Sequence, residues 1–129
     1  MIDMTRTTRK ELDRKIRKGV TLIDFNAPWC APCRAQEPVI LALEQQYGRR
    51  ATIAKLNIDE NQEMAMNLGI QSIPTMILYR EGCEIGRFIG LQSTETLSRA
   101  LGEALKGLKS EVGGQRTEDS PAVLSANGS

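Results

Sequence analysis

The 129-residue sequence contains no histidine and only three cysteines, is 4% aromatic, and balances 17 basic against 16 acidic residues for a formal charge of +1. Each shortage removes a class of function. Without an imidazole there is no serine or cysteine hydrolase that uses a histidine base, and no zinc site that includes histidine. Three thiols fall short of an all-cysteine tetrahedral centre, so a closed zinc site would need a carboxylate or a second chain, and none is expected. The near-neutral balance supplies no general positive field for a polyanion. Seven lysines and arginines do cluster between Arg6 and Lys18, but Glu11 and Asp13 interrupt them, and they read as a solvated helix face rather than a nucleic-acid footprint. No segment approaches the roughly 20 apolar residues of a membrane span, and the opening "MIDMTRTTRKEL" carries charges where a secretory leader needs an apolar centre. These absences predict a soluble, cytoplasmic protein without nucleic-acid or membrane partners; a monomer is expected.

What is present suffices for one core, since 40% of the chain is hydrophobic. Short apolar runs alternate with helical stretches, the pattern of an α/β domain. "MIDMT" reads as a weak first strand. Thr8 and Glu11 form a capping box for a helix over 8–18, with Leu12 and Ile16 on one face and Gly19 placed to stop it. "VTLIDF" is a central strand and "ATIAKLNID" another, with a helix over 32–47 between them that Pro38 should kink. A short helix over 59–68 follows, and then "TMILY" and "EIGRFI", joined through the turn "REGC" as an antiparallel hairpin. Ser93 caps a last helix carrying Leu97, Leu101, Ala104, Leu105 and Leu108 at helical spacing. The domain therefore covers 1–107, and 108–129, rich in Gly, Ser and charge, reads as a disordered tail.

Cys30 and Cys33 stand out within "NAPWCAPCRAQEP". They leave the end of a strand and open a helix, where residues three apart have β-carbons about 5–6 Å apart, within reach of a disulfide after small adjustment. In a reducing compartment so close a pair points to redox or metal chemistry rather than a structural staple. Cys30 lies at the helix entrance, where unpaired N–H groups and the helix dipole favour a thiolate, and Arg34 adds a positive charge. Cys30 is therefore expected to titrate below Cys33. Cys33, one turn in and less exposed, suits the resolving role. Cys83 is left over at the hairpin turn and reads as an incidental, partly exposed thiol, with a regulatory or dimer-forming cysteine as the alternative.

With "LIDFNAPWCAPCRAQEP", "AKLNIDEN", "GIQSIPTMILYREG" and "FIG" in this order, nearly all of 1–107 resembles the thioredoxin family. The resemblance implies the thioredoxin fold, a mixed sheet of about five strands flanked by about four helices. It implies a protein-disulfide reductase in which Cys30 attacks and Cys33 resolves. By the same resemblance Asp24 matches the family's buried carboxylate, Lys55 the lysine near it, and Pro74 a cis-proline facing the disulfide. Trp29, Ala31, Pro32, Ile73, Pro74 and Gly90 would then form the substrate-docking surface. No cofactor beyond the redox-active disulfide is implied; the partners would be disulfide-containing proteins and, as electron donor, a thioredoxin reductase. Two positions depart from the family's pattern: Ala31 replaces the usual glycine between the cysteines, and Asn26 stands where a second tryptophan is common. The alternatives are a redox-sensing adaptor on the same fold, and an oxidase or isomerase.

Overall fold

A computed structural model describes residues 1–4 and 6–113, with side chains through 106. Five strands form one sheet: β1 (Ile2–Met4), β2 (Val20–Asn26), β3 (Ala51–Asn57), β4 (Thr75–Arg80) and β5 (Cys83–Ile89). Their spatial order is β1-β3-β2-β4-β5, parallel from β1 to β2 and antiparallel from β2 to β5. Four helices accompany them: α1 (Arg9–Ile16), α2 (Ala31–Tyr47), α3 (Gln62–Asn67) and α4 (Thr94–Gly113). The expected mixed five-stranded α/β fold is present.

The central strand β2 is buried along both faces, and its alternation sorts the core into two layers. Val20 and Leu22 face one way and pack with Ile53, Met76, Leu78 and the apolar stripes of α2 and α4. Ile23 and Phe25 face the other way and pack with Leu12 and Ile16 of α1, Met64 of α3, and Leu56. Because side chains alternate along a strand, Asp24 belongs to the face of Val20 and Leu22, and Lys55 to the face of Ala51 and Ile53. The sheet therefore aims both charged residues at α2, near the end where that helix begins.

Local signals explain the elements. Thr8 Oγ1 accepts from the Glu11 amide at 3.1 Å while Glu11 Oε1 accepts from the Thr8 amide at 2.9 Å, completing the capping box. Ser93 Oγ accepts from the Thr96 amide at 3.1 Å at the start of α4. Several boundaries differ from expectation. α1 ends at Ile16, two residues before the expected Lys18. The stretch expected as a helix over 59–68 divides into a 3-10 turn, Ile58–Glu60, and α3, because Asn61 adopts a non-helical φ of −143° between them. Cys83 begins β5 instead of closing the turn, since Glu81 and Gly82, at φ 52° and 88°, form a two-residue hairpin loop by themselves. Pro38 lies inside α2, which runs as one helix from Ala31 to Tyr47. α4 runs on through Gly113, past the domain end expected at 107. The remainder of the expected tail, 114–129, and the Leu108 side chain lie outside the described residues, as does Thr5 of the first strand.

Candidate active site

β2 ends at Asn26, and four residues later Cys30 is the N-cap of α2, with its side chain accepting the Cys33 amide: Cys33 N to Cys30 Sγ is 3.2 Å. A backbone N–H aimed at sulfur, at the positive end of a helix, favours the thiolate when the pair is reduced. Cys30 and Cys33 form a disulfide, with their Cα atoms 5.2 Å apart. Arg34 acts less directly than its position suggests, because its guanidinium donates to the Pro28 carbonyl at 2.8 Å, bracing the loop before Cys30. Ala31 and Pro32 make the exposed first turn of α2. Ala31 has no positive φ, so a helix-favouring residue sits there without strain.

The expectation that Cys33 is less exposed than Cys30 is not met: the two are 5% and 4% exposed. Ala27, Ile58 and Ile73 pack around both. Surroundings distinguish them instead. Cys30 Sγ lies 3.8 Å from the Ile73 carbonyl oxygen, beside the cis bond between Ile73 and Pro74. Cys33 lines a cleft of about 370 Å³ shared with Asp24, Asn26, Glu37 and Lys55.

Asp24 is 3% exposed. Burial pushes its carboxyl up to about 6; a hydrogen bond from Asn26 and the charge of Lys55 pull it down, and Glu37 opposes them. Oδ2 accepts from Asn26 Nδ2 at 3.3 Å, while the buried Oδ1 has no hydrogen-bond partner among the described residues. Lys55 is Asp24's register partner on β3, but its ammonium donates to Glu37 Oε2 at 3.4 Å. Lys55 thus acts on Asp24 through its field and shares its ion pair with α2.

The other expected residues gather on the Cys30 side. Trp29 is 65% exposed, and its indole Nε1 donates to Asp59 Oδ2 at 2.9 Å, which holds the ring against the chain after β3. Pro74 is buried, Ile73 is partly exposed, and the Gly90 amide donates to the Pro74 carbonyl at 2.8 Å. Gly90 has φ 88°, and nothing lies within 4 Å of where its β-carbon would stand, so backbone conformation rather than space selects glycine. Sequence reasoning missed Leu91, exposed beside Gly90, and Gln36. The Gln36 side chain is fully buried; its Nε2 donates to the Gln92 carbonyl at 2.9 Å and its Oε1 accepts the Gln92 amide at 2.7 Å. It ties the loop after Gly90 to the cysteine helix. Its polar character at an otherwise apolar helix position, one turn after Cys33, was the available signal.

A sequence profile described as Thioredoxin matches residues 3–103. The chain belongs to the thioredoxin family. It is 37% identical over 102 residues to a thioredoxin of Staphylococcus epidermidis, spanning 79% of this chain and 98% of that protein. A Staphylococcus aureus thioredoxin is 36% identical over the same lengths. Among solved structures, a mutant thioredoxin from Halobacterium salinarum NRC-1 superposes with a TM-score of 0.73 at 32% identity, covering 81% of this chain and 91% of that one. Mitochondrial thioredoxin 3 from Saccharomyces cerevisiae, in its oxidized form, gives 0.70 at 28% identity, covering 77% and 92%. With a thioredoxin-family C-x-x-C pair at disulfide distance, the chain is a thiol-disulfide oxidoreductase. Its partners are, in general terms, disulfide-bearing substrates and a reductase.

Proposed function

We propose that this protein works as a general reductant of protein disulfides in the cytoplasm, as a monomer, with its own cysteine pair as the only electron carrier and an NADPH-dependent thioredoxin reductase as donor. Cys30 thiolate attacks one sulfur of a substrate disulfide, forming a mixed disulfide and releasing one substrate thiolate. Cys33 gives its proton to Asp24 and attacks Cys30 Sγ. The Cys30–Cys33 disulfide forms, the second substrate thiolate leaves, and protons from Asp24 and water complete the two thiols. Two electrons have then passed from the pair to the substrate, and the reductase returns them. Lys55 steadies the charge that comes and goes on Asp24. Trp29, Ala31, Pro32, Ile73, Pro74 and Gly90 receive the substrate, an extended segment lying across Ile73 beside Pro74.

The observation that carries this reading is the division of the site: Cys33 shares its cleft with a buried carboxylate, and Cys30 abuts the Ile73–Pro74 bond. The test is dithiothreitol-driven reduction of insulin by wild type and by Cys30→Ser. Turnover well above dithiothreitol alone, lost in the variant, is expected. A wild-type rate no better than dithiothreitol alone would remove the general reductase and return the redox-sensing adaptor.

A further inference from the structure

Asn26 occupies a position that the chemistry above leaves without a task, and its geometry supplies one. It lies two residues beyond Asp24 on β2, so both side chains leave the same face of the strand at the end nearest α2. Its Nδ2 is 3.3 Å from Asp24 Oδ2 and 3.4 Å from the Asp24 main-chain oxygen. The second contact fixes the amide's orientation. A carbonyl oxygen only accepts, so turning the carboxamide over would set oxygen against oxygen. Asn26 therefore presents a donor to Oδ2, and the unpartnered Oδ1 is left as the carboxyl atom free to take a proton.

We propose that Asn26 is a positioning residue for proton transfer: by donating to Oδ2 it stabilises the Asp24 carboxylate, keeps Asp24 able to accept the Cys33 proton, and sets the lower pH limit of the resolving step. The proposal rests on the reading of Asp24 as the acceptor of that proton. Among the charged groups facing Asp24, Lys55 also favours the carboxylate, but through its field alone. Lys55 of β3 is paired to Glu37 of α2, whose charge works against the carboxylate. Arg34 of α2 is turned to the Pro28 carbonyl. Asp3 of β1 and Glu60 of the 3-10 turn line the same cleft, as does Met1, whose ammonium is paired to Glu44 of α2 at 3.4 Å. In the oxidised protein, Asn26 is Asp24's hydrogen-bond donor among the described residues, and its contribution ranks second only to burial among the influences on the carboxyl.

Asn26→Leu keeps the approximate size and removes the donor; Asn26→Ala is a smaller deletion should leucine disturb the strand end. Carbon-13 NMR of the Asp24 carboxyl in the oxidised protein reads its titration directly. The midpoint should rise by about one pH unit in both variants, whereas Asn26→Ser, which keeps a short donor, should stay nearer wild type. An unmoved midpoint in the folded Leu and Ala variants would overturn the proposal.

Stopped-flow reaction of the reduced protein with a stoichiometric aromatic disulfide, dithiobis-nitrobenzoate, reads the consequence. Its concentration-independent phase is the attack of Cys33 on the mixed disulfide at Cys30. The acid limb of that phase should move up with the NMR midpoint, slowing resolution about tenfold on the acid side. Asp24→Asn separates the two ideas. If it leaves the limb in place, the role of Asp24 as acceptor fails whatever Asn26 does, and with it the proposed control of the resolving step. If it abolishes the limb, and Asn26→Leu adds nothing in that background, Asn26 acts through Asp24 as proposed.

Discussion

Thr21, near the start of β2, is fully buried, and its Oγ1 has no hydrogen-bond partner among the described residues. A buried hydroxyl without a partner costs free energy, and valine has nearly the same shape. Thr21→Val should therefore raise stability by about 1 kcal/mol, seen as a higher urea midpoint at unchanged m, with insulin reduction unaltered. A lower midpoint would mean that the hydroxyl is satisfied in solution. Individual residues were also where the sequence spoke most unevenly. Cys30 and Cys33 could be singled out from spacing and local pattern alone, because their chemistry depends on neighbours three positions apart. Asp24, Lys55 and Pro74 needed family resemblance, since the partners that give them meaning lie on other strands and on α2. Asn26 was visible only as a departure from the family pattern; its contact with Asp24 requires knowing that β2 remains extended through Asn26.

Elements were legible where their signals are local and less so where two segments meet. The capping box of α1, the serine cap of α4 and the two-sided burial of β2 are each written in a few consecutive residues. The break between the 3-10 turn and α3 depends on side-chain bonds: Asn57 Oδ1 accepts the Asp59 amide at 2.8 Å, and Asn61 Nδ2 donates to the Asn57 carbonyl at 2.8 Å. These compete with helix continuation. The tie between α2 and the loop after Gly90 is the clearest case of a meeting that sequence hides. Gln36 offers that loop what a neighbouring strand would, one donor and one acceptor, both matched by Gln92. Gln36→Leu fills similar space but strips both bonds, leaving the Gln92 amide and carbonyl to find water. The expected cost is about 2–3 kcal/mol, with faster amide exchange at Gln92 and a raised KM for insulin at little change in kcat. Loss of stability with exchange at Gln92 unchanged would show that the clamp does not hold the docking loop.

For the whole molecule, the alternation of apolar runs with helical stretches implied an α/β domain, but beyond the last hairpin not which strands pair. The order β1-β3-β2-β4-β5 is seen only in the structure, because apart from the β4–β5 hairpin it joins segments far apart in sequence. That order places β2 at the centre, and with it Asp24, so the site carries its acid into the layer packed against α2. The consequence is global. Burial raises the Asp24 carboxyl from an ordinary 3.8 to about 6 in the oxidised protein, so between those values the folded chain binds more protons than the unfolded one. Stability must then fall as pH rises through that window. The stabilisation conferred by the proton is complete below about pH 4 and lost above about pH 6; the difference corresponds to about 3 kcal/mol. Asp24→Asn removes this dependence while other carboxyls titrate as before. Urea unfolding of oxidised wild type and variant at pH 4 and pH 7 should therefore show the variant gaining about 2 kcal/mol relative to wild type at the higher pH. A constant difference across that range would mean that Asp24 titrates alike in folded and unfolded chains. A gain at pH 7 would mean that an acid placed for proton transfer weakens the fold at the pH where it works.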